Sequence, residues 1–275
     1  MTRPDERSPL DQIRISELIT PQPMSALAGL LDIDVPEANT VPPLWHWVYL
    51  LDHRPHRDLG HDGHPSFGIP APPAAGQRRM FAGGRVISHR PLRVGEEAVR
   101  TVSLSATTEK QGSTGPLTFV TVRHEIVQGG RTAVTEEHDI VYRRPGPQLP
   151  PGEPVLGGIQ GAPVLELEVD SPMLFRFSAL TYNAHRIHYD HAWARHEGYA
   201  DLVIHGPLQV LMMAELMRRH GVSLLGHQFS FRLVAPLIGP QRMTVTAIDD
   251  TLSRAQVLSA DGSRTALSEL TEPAP

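Results

Sequence analysis

The chain has 275 residues, 40% hydrophobic and 20% charged, which fits one large or two small soluble globular domains. It has no cysteine, which excludes disulfides, thiolate metal sites and cysteine nucleophiles, and it has no apolar run long enough to span a membrane. A net charge of −5 argues against a nucleic-acid partner, and because Lys110 is the only lysine, an anion held by a side-chain cation is expected to meet arginine.

Residues 1–9 contain no apolar leader core, so the expected compartment is the cytoplasm. Leu18, Leu27, Leu30 and Leu31 predict a short amphipathic helix within 13–31, interrupted by Pro21 and Pro23. Residues 45–51 are compact and apolar. Residues 52–76 read as a long loop dense in glycine, proline and histidine. Strands are expected at 99–106, 117–126 and 132–142, with a hairpin turn at Gly129 and Gly130.

The stretch 145–163 is rich in proline and glycine and reads as a linker. It divides the chain into units at 1–147 and 164–275, joined by 148–163. The second unit opens with a strand at 165–169. A helix at 207–219 has Leu208, Leu211, Met212 and Leu216 at helical spacing. Strands follow at 229–234, 243–248, 254–258 and 264–270, with Asp261 and Gly262 as a turn. A helix followed by a run of antiparallel strands is α+β logic.

The densest chemistry lies between Ser178 and Asp190, where Asn183, His185, His188 and Asp190 fall within eight residues. Fifteen residues beyond Asp190 come His205, Gly206 and Pro207, opening the 207–219 helix. A histidine moves protons near neutral pH, and the N–H groups at a helix start stabilise an oxygen that gains negative charge. Taken alone, His188 reads as a structural histidine and Gly206 as a plain helix start. In the first half, His53, His56, His61 and His64 with Asp58 and Asp62 invite a metal reading, but their spacing fits no compact ligand motif. A loop that covers substrate is the preferred reading, and no metal is expected. Gly83 and Gly84, flanked by Arg79, Arg85 and Arg90, form a candidate approach for an anionic substrate end, with Arg85 as its cation. Surface salt bridging is the alternative for Arg85.

The frame Asn183-Ala-His-Arg-Ile-His188 resembles the D-x-N-P-[LIV]-H signature of the MaoC-like, R-specific enoyl-CoA hydratases. Residues 43–47 (PLWHW), 79–85 (RMFAGGR) and 115–125 (GPLTFVTVRHE) extend the likeness to the double-hotdog subfamily. That subfamily includes mesaconyl-C4-CoA hydratases, itaconyl-CoA hydratases and mitochondrial-type hydroxyacyl-thioester dehydratases. The resemblance runs from about residue 15 to 270. It implies two hotdog units in one chain, each a sheet wrapping a central helix, with the first unit's helix placed within 45–51. It also implies a catalytic second unit and a first unit that selects the acyl chain.

The resemblance implies a hydro-lyase acting on a 2-enoyl-CoA, first of all a branched five-carbon dicarboxylyl-CoA. His188 is then the base, Asn183 orients water where the family has aspartate, and Gly206 holds the thioester oxygen. His205, His185, Tyr182, Arg85 and Gly84 are the expected substrate neighbours. Asp190 is expected to cap a helix or pair with Arg186 or Arg195. No cofactor is implied beyond the coenzyme A or pantetheine of the substrate, and two units in one chain leave a further homodimer open. The rivals are a 3-hydroxyacyl-thioester dehydratase, a hotdog thioesterase and a non-catalytic acyl-thioester binder.

Overall fold

A computed structural model describes residues 12–36, 39–71, 74, 77–112, 115–144, 152–155 and 161–273. The first unit contains β1 (Gln12–Leu18), α1 (Pro21–Leu30), β2 (Thr40–Val41), β3 (Arg78–Ser88), β4 (Leu92–Arg93), β5 (Glu97–Gly112), β6 (Gly115–Gln128) and β7 (Arg131–Arg143). The second contains β8 (Val164–Val169), α2 (Ser171–Leu180), α3 (His191–His196), α4 (Gly206–Arg219), β9 (Gln228–Leu233), β10 (Gln241–Ala247), β11 (Arg254–Leu258) and β12 (Arg264–Thr271). Most of the expected linker falls outside the described residues. The part at 152–155 lies along the β11–β12 turn, where Val155 N–H donates to Gly262 O and Arg264 N–H to Glu153 O.

Ten strands form one antiparallel sheet in the order β1-β5-β6-β7-β3-β9-β12-β11-β10-β8. The order is a palindrome of two five-stranded units that meet where β3 pairs with β9. At this seam Gly83 faces Arg232 and Gly84 faces Phe231. A Cβ on Gly83 would lie 2.7 Å from Phe231 O, and one on Gly84 2.4 Å from Glu137 O and 2.8 Å from the Phe231 ring. The Gly-Gly pair therefore serves close strand packing. The expected substrate role of Gly84 gives way to this one.

The second unit wraps α4. Leu208, Val210, Leu211, Met212, Met213, Leu216 and Met217 are all buried, so the helix is apolar on nearly every face, as a central helix must be. Its buried polar residues are paired: Thr265 Oγ1 donates to Gln209 Oε1 at 2.7 Å, and Glu215 accepts from Arg218 and Arg219.

The first unit differs in two respects from expectation. Residues 13–31 are not one helix. Gln12–Leu18 alternates exposed and half-buried along an edge strand, and the helix starts only at Pro21, which occupies its first turn. The central helix expected within 45–51 is a single 3₁₀ turn, Trp45–Val48. Leu44 and Leu50 hold left-handed backbone on either side of it (φ 69° and 54°), which stops propagation in both directions. Space that a long helix would fill is left for a cavity. The turn's Trp45 spans the seam, its Nε1 donating to Glu215 Oε2 of α4 at 3.4 Å.

Candidate active site

Three short segments build the site. Asp170 caps α2, its Oδ1 accepting from Met173 N–H at 2.8 Å. The helix ends at Leu180, and Tyr182 (φ 52°) turns the chain so that Asn183 N–H returns to Ser178 O at 2.8 Å. Asn183 Oδ1 accepts from His185 N–H at 3.0 Å. Because an N–H can only donate, this bond fixes the amide's orientation and leaves Nδ2 as a donor towards the cavity. One 3₁₀ turn (Arg186–His188) then presents His188. Asp190 does what the structural reading expected: it caps α3 through Trp193 N–H at 3.1 Å and pairs with Arg186 at 2.6 Å.

His188 is buried, and its Nδ1 lies 2.7 Å from Val203 O. A carbonyl only accepts, so Nδ1 carries the proton and Nε2 keeps its lone pair. Burial pushes the imidazole's pKa well below the ordinary value, helped by the neighbouring His205 and His185; the bond to Val203 opposes this more weakly. His188 therefore stands ready as a neutral base at physiological pH.

His205 lies behind His188, not in the cavity wall. The two rings stack with centroids 3.7 Å apart and 18° between planes, and His205 Nε2 meets Ser178 Oγ at 2.9 Å. Full burial pushes its pKa down to about 3. His205 was expected to neighbour substrate; it does not line the cavity and instead packs against the His188 ring. His185 does reach the cavity, with Nε2 3.4 Å from Glu197 Oε1. Tyr182 is 54% exposed and edges His53 at the cavity wall.

Gly206 opens α4 beside these groups. Its N–H has no acceptor among the described residues, and a Cβ there would meet Leu233 Cδ1 at 2.3 Å and Phe81 Cδ1 at 3.4 Å. The missing side chain keeps a backbone donor at the positive end of a 14-residue helix open to a ligand oxygen.

The cavity in front of His188 measures about 500 Å³, and both units line it. Asn183, His185, His188 and Gly206 come from the second unit; Trp47, His64, Phe81 and Glu136 come from the first. Two half-buried arginines, Arg79 and Arg100, also face it. Neither has a carboxylate at ion-pair distance among the described residues, and burial lowers the pKa of both guanidinium groups. Arg85, the expected cation, lies outside this wall. It is paired with Glu137 and Asp139 and its side chain is 42% exposed. The sequence marks Arg79 only as a flank of the Gly83-Gly84 pair, with Arg85 preferred as the cation, and does not single out Arg100 or Glu136. Arg79 lay inside a quoted motif; Arg100 and Glu136 carry no local signal beyond strand alternation.

Two groups of side chains have ligand atoms within 4.8 Å of one another and are competent to hold a metal ion: Asp62, His64 and His185, and His124, Glu136 and His138. In the second, Glu136 already accepts from His46 Nε2 at 3.0 Å and Trp47 Nε1 at 2.8 Å.

The neutral buried imidazoles make stability depend on pH. Unfolded histidine titrates near ~6.5, and the folded values of His188, His205 and His64 lie lower. The unfolded chain then binds more protons as pH falls below that value. The contribution of these groups is fully present above about pH 6.5 and shrinks by up to ~1.4 kcal/mol per pH unit per group below it. Thermal melts from pH 7.5 to 5 should show Tm falling steadily below pH 6.5; a Tm that is flat or rises to pH 5 would contradict the neutral assignment.

An oriented neutral base facing an open helix start, across two sheet units fused in one chain, defines the hydratase–dehydratase class of double-hotdog acyl-thioester enzymes. The chain belongs to the hydroxyacyl-thioester dehydratase type 2 family, whose model matches residues 44–239. It is 45% identical over 239 residues to the mesaconyl-C4-CoA hydratase of Chloroflexus aurantiacus, covering 85% of this chain and 84% of that one. Among solved structures, a MaoC-like dehydratase from Phytophthora capsici shares the fold with a TM-score of 0.68 at 11% identity, covering 95% of each chain. A Mycobacterium tuberculosis protein with a double hotdog fold matches with a TM-score of 0.58 at 12% identity, covering 98% of this chain and 97% of that one. Among the described residues no helix is long and apolar enough to cross a membrane.

Proposed function

We propose that this hydro-lyase adds water to a branched dicarboxylyl-CoA, mesaconyl-C4-CoA, to give citramalyl-CoA. The observation that carries the chemistry is His188, its Nδ1 held by Val203 O and its Nε2 free at the cavity beside Gly206. Water bound at Asn183 gives a proton to His188 Nε2 as its oxygen bonds to C3 of the enoyl group. The electron pair of the double bond moves to the thioester, and the enolate oxygen takes the Gly206 N–H and the dipole of α4. The imidazolium then returns its proton to C2. One base on one face gives syn addition and leaves the enzyme unchanged. No redox step occurs, so the reaction calls on no cofactor beyond the coenzyme A of the substrate.

The substrate's free carboxylate is attached to the carbon that water attacks, so its partner must stand close to the catalytic histidines. Arg79 meets this requirement. It faces the same cavity, and its charge is felt by His64, whose ring lies 4.1 Å from that of His185. A half-buried guanidinium without an ion pair carries a desolvation cost, which an arriving carboxylate offsets. Arg79→Gln should lower kcat/KM for mesaconyl-C4-CoA about tenfold or more relative to crotonyl-CoA, since a charged hydrogen bond contributes about 1.5–3 kcal/mol. An unchanged ratio of the two would remove Arg79 from the substrate site.

A further inference from the structure

The first unit's loop does more than cover the site. Arg186 N–H donates to Asp62 O at 3.0 Å, and Arg186 Nη1 donates to His61 O at 3.0 Å. Gly63 (φ 90°) comes so near the signature turn that a Cβ there would sit 1.8 Å from Ala184 O. This docking inserts His64 into the cavity wall, its ring centroid 4.1 Å from that of His185. Asp62 grips it twice: Oδ1 accepts from His64 N–H at 3.0 Å, and Oδ2 lies 3.1 Å from Nδ1. An ionised carboxylate only accepts, so Nδ1 carries the hydrogen and Nε2 keeps a lone pair. Burial favours this neutral form. Nε2 has no hydrogen-bond partner among the described residues.

We propose that His64, oriented by Asp62, is a second catalytic group that accepts the hydrogen bond from the attacking water's other O–H. The inference rests on the hydratase reading above. A water molecule has two hydrogens and two lone pairs. His188 Nε2 takes one hydrogen, His64 Nε2 holds the second, and Asn183 Nδ2 donates to one lone pair, which leaves the other for C3. The hydrogen on His64 is not transferred. It remains on the new hydroxyl, so His64 also recognises the product in the dehydration direction. The dyad thereby fills the acceptor role that Asn183, as an amide in this orientation, does not offer.

The test uses the intact chain with His64→Ala, His64→Gln and Asp62→Asn, each checked by thermal melting. Alanine should lower kcat for mesaconyl-C4-CoA about 10²-fold or more, while the Kd of succinyl-CoA, which has no double bond to hydrate, stays within about threefold. Glutamine, whose amide oxygen accepts the same hydrogen bond, should recover at least about tenfold of that loss. Should the alanine variant not fold, Gln and Asp62→Asn carry the test: Asp62→Asn frees the imidazole to change tautomer and should cost more turnover than His64→Gln. A His64→Ala enzyme within threefold of wild-type kcat overturns the proposal while leaving the hydratase reading intact. Equal losses in Ala and Gln together with weaker succinyl-CoA binding overturn it in favour of a packing role. One equivalent of bound zinc, with activity lost on chelation and restored by zinc, would make Asp62, His64 and His185 a metal site and also overturn it. A wild-type protein that turns over no enoyl-CoA would instead sink the underlying reading.

Discussion

Replacing His188 by alanine is expected to lower hydratase turnover by about 10²–10⁴-fold, the usual range for a general acid–base group. The expectation follows from the unequal surroundings of the two ring nitrogens. Nδ1 is committed to Val203 O, so only Nε2 can exchange a proton with substrate, and His205 is shut behind the ring with its own pKa near 3. His205 therefore cannot take over. The variant should still fold, because the side chain borders a cavity. Its Tm should fall modestly, since Val203 O loses its partner at a cost of about 1–3 kcal/mol. Turnover within threefold of wild type would remove His188 from the chemistry.

The next largest effect should come from Asn183, where two substitutions separate its two jobs. Alanine removes both the bond from His185 N–H that shapes the turn and the Nδ2 donor proposed to hold the attacking water. Its kcat should fall by about 10²-fold or more, with some loss of stability. Aspartate keeps an oxygen for His185 N–H and restores the residue that the hydratase signature carries, so it should retain more activity than alanine. If aspartate is the more damaging change, donation by the amide outweighs the turn, and a negative charge beside His188 cannot replace it. Steady-state kinetics with melting curves for both variants decide the point.

The residues of the candidate site could be picked out together because they are local. Asn183, His188 and Gly206 lie within 24 residues, and one α-helix, one 3₁₀ turn and one helix start bring them to the same cavity. Strands β5 to β12 followed from alternation and turn residues, with boundaries off by a few residues. What failed depended on contacts distant in sequence or on a break in period. Arg79 and Arg85 lie six residues apart, so an unbroken strand would put both on one face. The bulge between Phe81 and Gly83 shifts the register by one, and Arg79 faces the cavity while Arg85 pairs with Glu137 on the other side. Edge strand β1 was hidden by the leucines of the helix that follows it. His64 sits in a loop without periodicity, and its place beside His185 is set by the docking of residues 61–63 on Ala184 and Arg186, which no local pattern encodes.

Hydration of an enoyl thioester in this cavity should leave the thioester intact. The purified protein with mesaconyl-C4-CoA, followed at once for enoyl absorbance and for free thiol, tests it most directly. Absorbance should fall to an equilibrium value with no thiol released, and His188→Ala should slow the change by about 10²–10⁴-fold. Thiol release matching the absorbance loss would make the protein a thioesterase, and an unchanged absorbance with tight substrate binding would make it a binder; either result would contradict the assignment.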